Sequence, residues 1–189
     1  MSAILLICGS TRAGSLNARL LAAIGGALGG PCATLPRAGL PLFDPEREHE
    51  PAIRAEIARL HGAVLAAPAL VIATPEYNGQ TTPYLKNLID WLSRLPRLEP
   101  GAANAFLDKP VLLASATPGW SGGALAMQSL RALLAYVGAV AFGETIGLPY
   151  AERAFAKGPL PDPAFAGEQW AAAARRFARF AAATNGVAA

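Results

Sequence analysis

The chain has 189 residues, 53% of them hydrophobic and 15% charged, with a formal net charge of +3 and a pI near 9.1. That balance excludes a disordered chain, and without a dense Lys/Arg block the mild basic excess gives no case for nucleic acid. Two cysteines, Cys8 and Cys32, spell neither a disulfide framework nor a metal pattern, and read as reduced core residues of a cytoplasmic protein.

The first strand is expected at 3–8, where Ala-Ile-Leu-Leu-Ile-Cys is a buried strand by length and content. It starts within three residues of the N-terminus with no basic region before it, which reads against a signal peptide. A loop at 9–17 leads to a helix at 15–28, whose Leu16, Leu20, Leu21, Ile24 and Leu28 recur at helical spacing. A short strand follows around 32–35. The next helix, 51–62, puts Ile53, Ile57 and Leu60 on one face. A strand at 69–74 precedes a helix at 82–94 that stacks Leu85, Leu88, Ile89 and Leu92. A strand at 110–116, a helix at 122–137 and a strand at 139–146 follow. The stretch Gly122–Phe142 is apolar but contains Gln128 and Arg131, so it reads as a helix running into a strand and not as a membrane span. A last helix at 164–183 aligns Trp170, Phe177 and Ala181 and turns Arg175, Arg176 and Arg179 to solvent. The tail 184–189 is expected to fray.

Strands alternating with helices imply α/β architecture: three layers, with a five-stranded parallel sheet between helices. The expected strand order is 2-1-3-4-5, in one domain spanning 1–189. Pro/Gly-rich stretches at 36–45, 95–101 and 147–163 are surface connections.

In such a sheet ligands bind beyond the carboxyl ends of the strands, and three loops of unusual composition leave those ends. The first, 9–17, reads Gly-Ser-Thr-Arg-Ala-Gly-Ser-Leu-Asn. Hydroxyls, one arginine and a helix start suit a phosphate group. The loop is short of glycine for a dinucleotide fingerprint and lacks the Lys-Ser/Thr ending of a nucleoside triphosphate loop, so it suits a terminal monophosphate. The second is Thr74-Pro75-Glu76-Tyr77-Asn78-Gly79, a turn whose amides can point at a planar ligand edge beside an aromatic surface. The third, Ser115–Gly123, carries glycines that let backbone approach a ligand closely. Each loop has a plainer reading beside the ligand one: a cap with Ser15 as N-cap, a strand-to-helix turn, and a flexible helix entry.

Other chemistry finds no support. His49 lies in a charged loop and His61 at a helix end, and neither belongs to a metal or triad pattern. Ser115 and Ser121 lack the surroundings of a nucleophile elbow. Glu76 and Asp90 are separated by 14 positions and fall on a loop and a helix, which argues against paired carboxylates. No catalytic side chain and no metal ligand is expected.

At these residues the chain resembles the NADPH-dependent FMN reductase family, of flavodoxin-like fold. The family motif Gly-Ser-x-Arg-x-x-Ser-x-Asn is matched by 9–17. Pro-Glu-Tyr-Asn, followed by Leu-Lys-Asn-x-Ile-Asp-Trp, is matched by 75–78 and 85–91. A looser element is met by Lys109-Pro110 and Gly122-Gly123. The resemblance implies an FMN-dependent oxidoreductase that passes hydride from NADPH or NADH to bound FMN and on to a flavin, quinone, azo dye or metal oxyanion. It assigns Ser10, Arg12, Ser15 and Asn17 to a phosphate cradle, with Leu16 beside them. Pro75, Glu76, Tyr77, Asn78 and Gly79 form the isoalloxazine loop, and Ser115 and Gly119 a third wall. It further implies a homodimer or homotetramer, for which Trp91 and Tyr84 serve either the interface or the core. Arg94, Arg97 and Arg131 are candidates for a ribose phosphate of the donor, and 95–108 for shaping the acceptor pocket. The alternatives are a non-enzymatic flavodoxin-like electron carrier, disfavoured because such carriers are strongly acidic, and a flavin-binding sensor without turnover.

Overall fold

A computed structural model describes residues 2–187. Its elements run β1 (Ile4–Cys8), α1 (Leu16–Ala27), β2 (Cys32–Thr34), α2 (Pro51–Ala66), β3 (Leu70–Ala73), α3 (Pro83–Leu92), α4 (Leu95–Leu98), β4 (Pro110–Ala116), α5 (Ala124–Tyr136), β5 (Val140–Leu148), α6 (Ala151–Ala154), α7 (Pro163–Ala166) and α8 (Gln169–Val187). The five strands pair in parallel in the expected order β2-β1-β3-β4-β5. The register runs Leu5 beside Leu70, and Leu70 beside Val111.

The sheet divides the apolar side chains into two cores. Leu5, Ile7, Leu70, Ile72, Val111 and Leu113 face α2, α3 and α5. Leu6, Val71, Ala73, Leu112 and Ala114 face α1 and α8. This is the period-two alternation of a strand covered on both faces, and every residue of β3 and β4 is buried. Helix α2 outruns its expected end at 62 because Val64 continues the stripe of Ile53, Ile57 and Leu60. Lys109 Nζ donates to the carbonyls of Leu65 at 3.0 Å and Ala67 at 2.5 Å, tying off that helix. The lysine of the Lys-Pro pair therefore has a capping role.

Several expectations are corrected. The single helix expected at 164–183 is two, α7 and α8, separated at Gly167 and Glu168. The stretch 147–163 contains the short helix α6. The expected fraying does not reach 184–187. Thr184 Oγ1 donates to Phe180 O, and Asn185 Nδ2 donates to Ala181 O and to Pro68 O, so that turn is held to the body. Residues 188 and 189 lie outside the described residues.

The segment 95–108 does not approach the carboxyl ends of the strands. Leu95, Ala105 and Phe106 enter the core, and the Asp108 amide donates to Gly138 O just ahead of β4 and β5, at the opposite sheet edge. His61 is buried there, with Nε2 2.9 Å from Ala103 O, so its place is structural. Trp91 is also core: it is fully buried and its Nε1–H donates to Pro41 O at 2.8 Å. Asn87 of the same motif holds the same loop, accepting from Phe43 N and donating to Pro41 O.

Candidate functional site

A crevice of about 380 Å³ opens at the carboxyl ends of β1, β3 and β4. That lies within the usual range for small-molecule sites. The loop after β1 supplies one wall with Ser10, Arg12, Ser15, Leu16 and Asn17. Ser15 is the N-cap of α1, its Oγ accepting from the Asn17 amide at 3.2 Å. Ser10 Oγ accepts from the Arg12 amide at 3.3 Å. Both hydroxyl protons stay available for donation. First-turn amides that no carbonyl of α1 can reach complete a positive helix end. Arg12 is exposed and forms no ion pair among the described residues. A free guanidinium on the same wall as a helix start with amides to spare fits a dianionic phosphate.

Asn17 stands differently. Its Nδ2 donates to Ala116 O at 2.8 Å, and its Oδ1 accepts from Ala116 N at 2.9 Å. The amide fastens α1 to the last residue of β4 with one of its two Nδ2–H donors, while the residue itself lines the crevice.

The loop after β3 supplies Pro75, Glu76 and Tyr77. It ends in a tight hairpin: Tyr77 and Gln80 exchange backbone hydrogen bonds of 3.1 and 3.0 Å across Asn78 and Gly79. Both central residues have positive φ, 52° and 73°. Asn-Gly is the pair such a turn favours. Asn78 and Gly79 therefore shape the turn and do not line the crevice. Asn78 borders an adjoining depression, and Gly79 packs beside Leu125 of α5. The carboxylate of Glu76 accepts the Ala126 amide at 3.1 Å. The N-cap of α5 is Gly123, which has no side chain to cap with, so Glu76 caps that helix from another loop.

The third wall is Ala116, Thr117, Pro118, Gly119 and Ser121. Ser115 is not part of it, which corrects its assignment. The residue is fully buried, and its hydroxyl has no hydrogen-bond partner among the described residues. It points under Gly123, where φ is 76° and a Cβ would clash with Ser115 Oγ and Cβ. Only glycine allows α5 to start this close to β4. Glu152 of α6 also lines the crevice. It is carried there by the amides of Tyr150 and Ala151, which donate to Gly119 O and Thr117 O, each at 2.9 Å. Thr117, Pro118 and Ser121 fall inside the loop singled out by composition. Glu152 lies beyond every motif and left no sequence signal.

Two of the three arginines considered for the donor's ribose phosphate are engaged elsewhere. Arg94 forks onto Glu48 with bonds of 2.8 and 3.1 Å. Arg131 donates to the carbonyls of Ala141 and Phe142 on the edge strand β5. Neither these two nor Arg97 lines the crevice. Cys8, half-buried at the end of β1, has its thiol pushed up by burial. No group of His, Cys, Asp or Glu among the described residues can hold a metal ion.

A family model described as NADPH-dependent FMN reductase matches residues 2–153. A quinone reductase of Escherichia coli (strain K12) is 36% identical over 140 residues, covering 72% of this chain and 71% of that protein. An NAD(P)H-dependent FMN reductase of Pseudomonas aeruginosa is 37% identical over 136 residues, covering 71% and 70%. Among solved structures, the flavoenzyme NAD(P)H:(acceptor) oxidoreductase FerB of Paracoccus denitrificans superposes with a TM-score of 0.81 at 25% identity, covering 97% of this chain and 99% of that one.

Proposed function

The chain belongs to the NADPH-dependent FMN reductase family, and on that premise we propose that its crevice seats FMN with the phosphate at the start of α1 and the ring between the loops after β3 and β4. It is an oxidoreductase with FMN and NAD(P)H as its redox partners. The observation that carries the seating is the pairing of an unpartnered guanidinium, Arg12, with the capped N-terminus of α1 on one wall of the crevice.

When bound, FMN would supply the redox chemistry, two-electron transfer between reduced nicotinamide and an acceptor. The protein contributes placement. Arg12 and the hydroxyls of Ser10 and Ser15 bind the phosphate through charge-assisted and neutral hydrogen bonds. Leu16, Pro75, Pro118 and the Tyr77 ring give the apolar surface that a flat heterocycle needs. Glu152 offers a carboxylate to hydroxyl groups of the polyol chain. Asn17 and Glu76 tie the walls of the crevice to one another, Asn17 through Ala116 and Glu76 through the Ala126 amide. No side-chain acid or base is needed for hydride transfer between partners held in contact.

A small quinone-like acceptor is the proposed oxidant, supported by the quinone reductase relative. The span 1–189 is proposed as one domain, since both cores share one sheet. A homodimer or homotetramer is proposed as well. Leu125 and Tyr136, exposed eleven positions apart on one face of α5, support it. No helix among the described residues is long and apolar enough to cross a membrane. Cytoplasmic residence is proposed on the two free thiols, Cys8 and Cys32.

The test is anaerobic addition of NADPH to the FMN-loaded protein, followed by a naphthoquinone. Bleaching of the visible flavin band and its recovery with the quinone are expected. A band that NADPH leaves intact would refute the reading.

A further inference from the structure

The loop that forms the third wall presents a residue that the cofactor seat does not use. Trp120 is 80% exposed, between Gly119 and Ser121, which both line the crevice. The chain's other tryptophans sit otherwise: Trp91 is fully buried and hydrogen-bonded, and Trp170 is half-buried. The exposure of Trp120 does not come from a loose loop. Gly119 O accepts from Thr117 Oγ1 at 3.1 Å and from the Tyr150 amide at 2.9 Å, and Ser121 Oγ accepts from the Gly123 amide at 3.2 Å. The backbone is pinned on both sides of a large apolar ring left in water. Tyr77, 51% exposed, stands on the facing wall of the same crevice.

We propose that Trp120 is a stacking platform for the electron acceptor beside the crevice, and that it is what favours flat aromatic acceptors over those without a ring. A flat conjugated ring matches the indole face. Metal oxyanions and ferricyanide offer no ring to stack. The pinned loop means little ordering is left for binding to supply. The proposal rests on the oxidoreductase reading above, and the overall exchange balances. Reduced nicotinamide loses a hydride, which carries two electrons and one proton. The quinone gains two electrons and two protons, the second proton coming from water, and both carbonyls become phenolic hydroxyls.

The test uses the FMN-loaded enzyme and its Trp120→Ala and Trp120→Phe variants, with NADPH as donor. The readout is the ratio of kcat/KM for a naphthoquinone to that for ferricyanide. Trp120→Ala should lower this ratio about tenfold through the quinone KM, and Trp120→Phe should restore most of it. A ratio within about twofold of wild type overturns the proposal. So does a sedimentation profile in which Trp120→Ala dissociates an oligomer, because the ring would then belong to a contact with a second copy. If the wild type oxidises NADPH with neither acceptor, the oxidoreductase reading fails. Equilibrium dialysis of the naphthoquinone then decides the platform alone: affinity about tenfold weaker in Trp120→Ala supports it, and equal affinity removes it.

Discussion

Asn17 and Ala116 exchange two hydrogen bonds, Nδ2 to the carbonyl and the amide to Oδ1, across 99 positions of sequence. The pair fixes the first turn of α1 against the end of β4, so two walls of the crevice keep one spacing. Asn17→Ala leaves a buried amide and a buried carbonyl without partners. The expected loss of stability is about 2–3 kcal/mol. Urea denaturation checks it, and a midpoint unchanged from wild type would show that the clasp carries no load.

Arg12 sits at the same helix start but in solvent, with no ion-pair partner among the described residues. Arg12→Ala should therefore leave the apo-protein's stability within about 0.5 kcal/mol. FMN affinity should fall by about 1.5–3 kcal/mol, the range for a hydrogen bond to a charged group. Flavin fluorescence titration reads the second effect and thermal denaturation of the apo-protein the first.

Glu76 caps α5 through the Ala126 amide because Gly123 cannot. Glu76→Ala should cost about 1 kcal/mol. Glu76→Gln keeps an acceptor oxygen and loses only the charge at the helix end, so its cost should be a few tenths of a kcal/mol, or about 0.3. Denaturation midpoints in that order support the cap; equal midpoints for both variants contradict it.

Acid should weaken the tie between the loop before α2 and the end of α3. The Arg94 guanidinium, hydrogen-bonded to Glu48, holds that carboxyl below its usual value of 4.5. A carboxyl with a lower pKa in the folded state than in the unfolded chain adds stability above the unfolded value. That contribution fades as pH falls from about 4.5 through the folded value. Glu48→Gln should thus be less stable than wild type at pH 7, by about 1 kcal/mol for a partly buried pair. The gap should narrow on descent below about pH 4.5. A gap that stays constant across that range would mean the pair does not titrate as described.

Long apolar patterns were legible without coordinates, and chemistry at loop ends was legible in part. Val71, Leu112 and their neighbours announce buried strands because a doubly covered strand is apolar throughout. The motif at 9–17 announces a helix start because hydroxyl caps and an arginine are local signals. What a side chain does once folded was less visible. Asn17 and Glu76 look like ligand groups, yet each meets a backbone group brought near by the sheet order. Ser115 looks like a wall residue, but the end of β4 turns it under Gly123. Glu152 reaches the crevice only through two backbone hydrogen bonds from the segment after β5, a contact that no local pattern encodes. Asn78-Gly79 is the converse case: the pair is a strong turn signal, and a tight turn is what it forms.

The seating of a phosphate at the start of α1 is tested most directly by comparing FMN with riboflavin, which has the same ring and polyol chain and no phosphate. Equilibrium titration of both ligands against wild type and Arg12→Ala should give much tighter FMN binding in the wild type, with most of that advantage lost in the variant. Equal affinities of the wild type for the two ligands, or an FMN advantage that survives the loss of Arg12 in full, would contradict it.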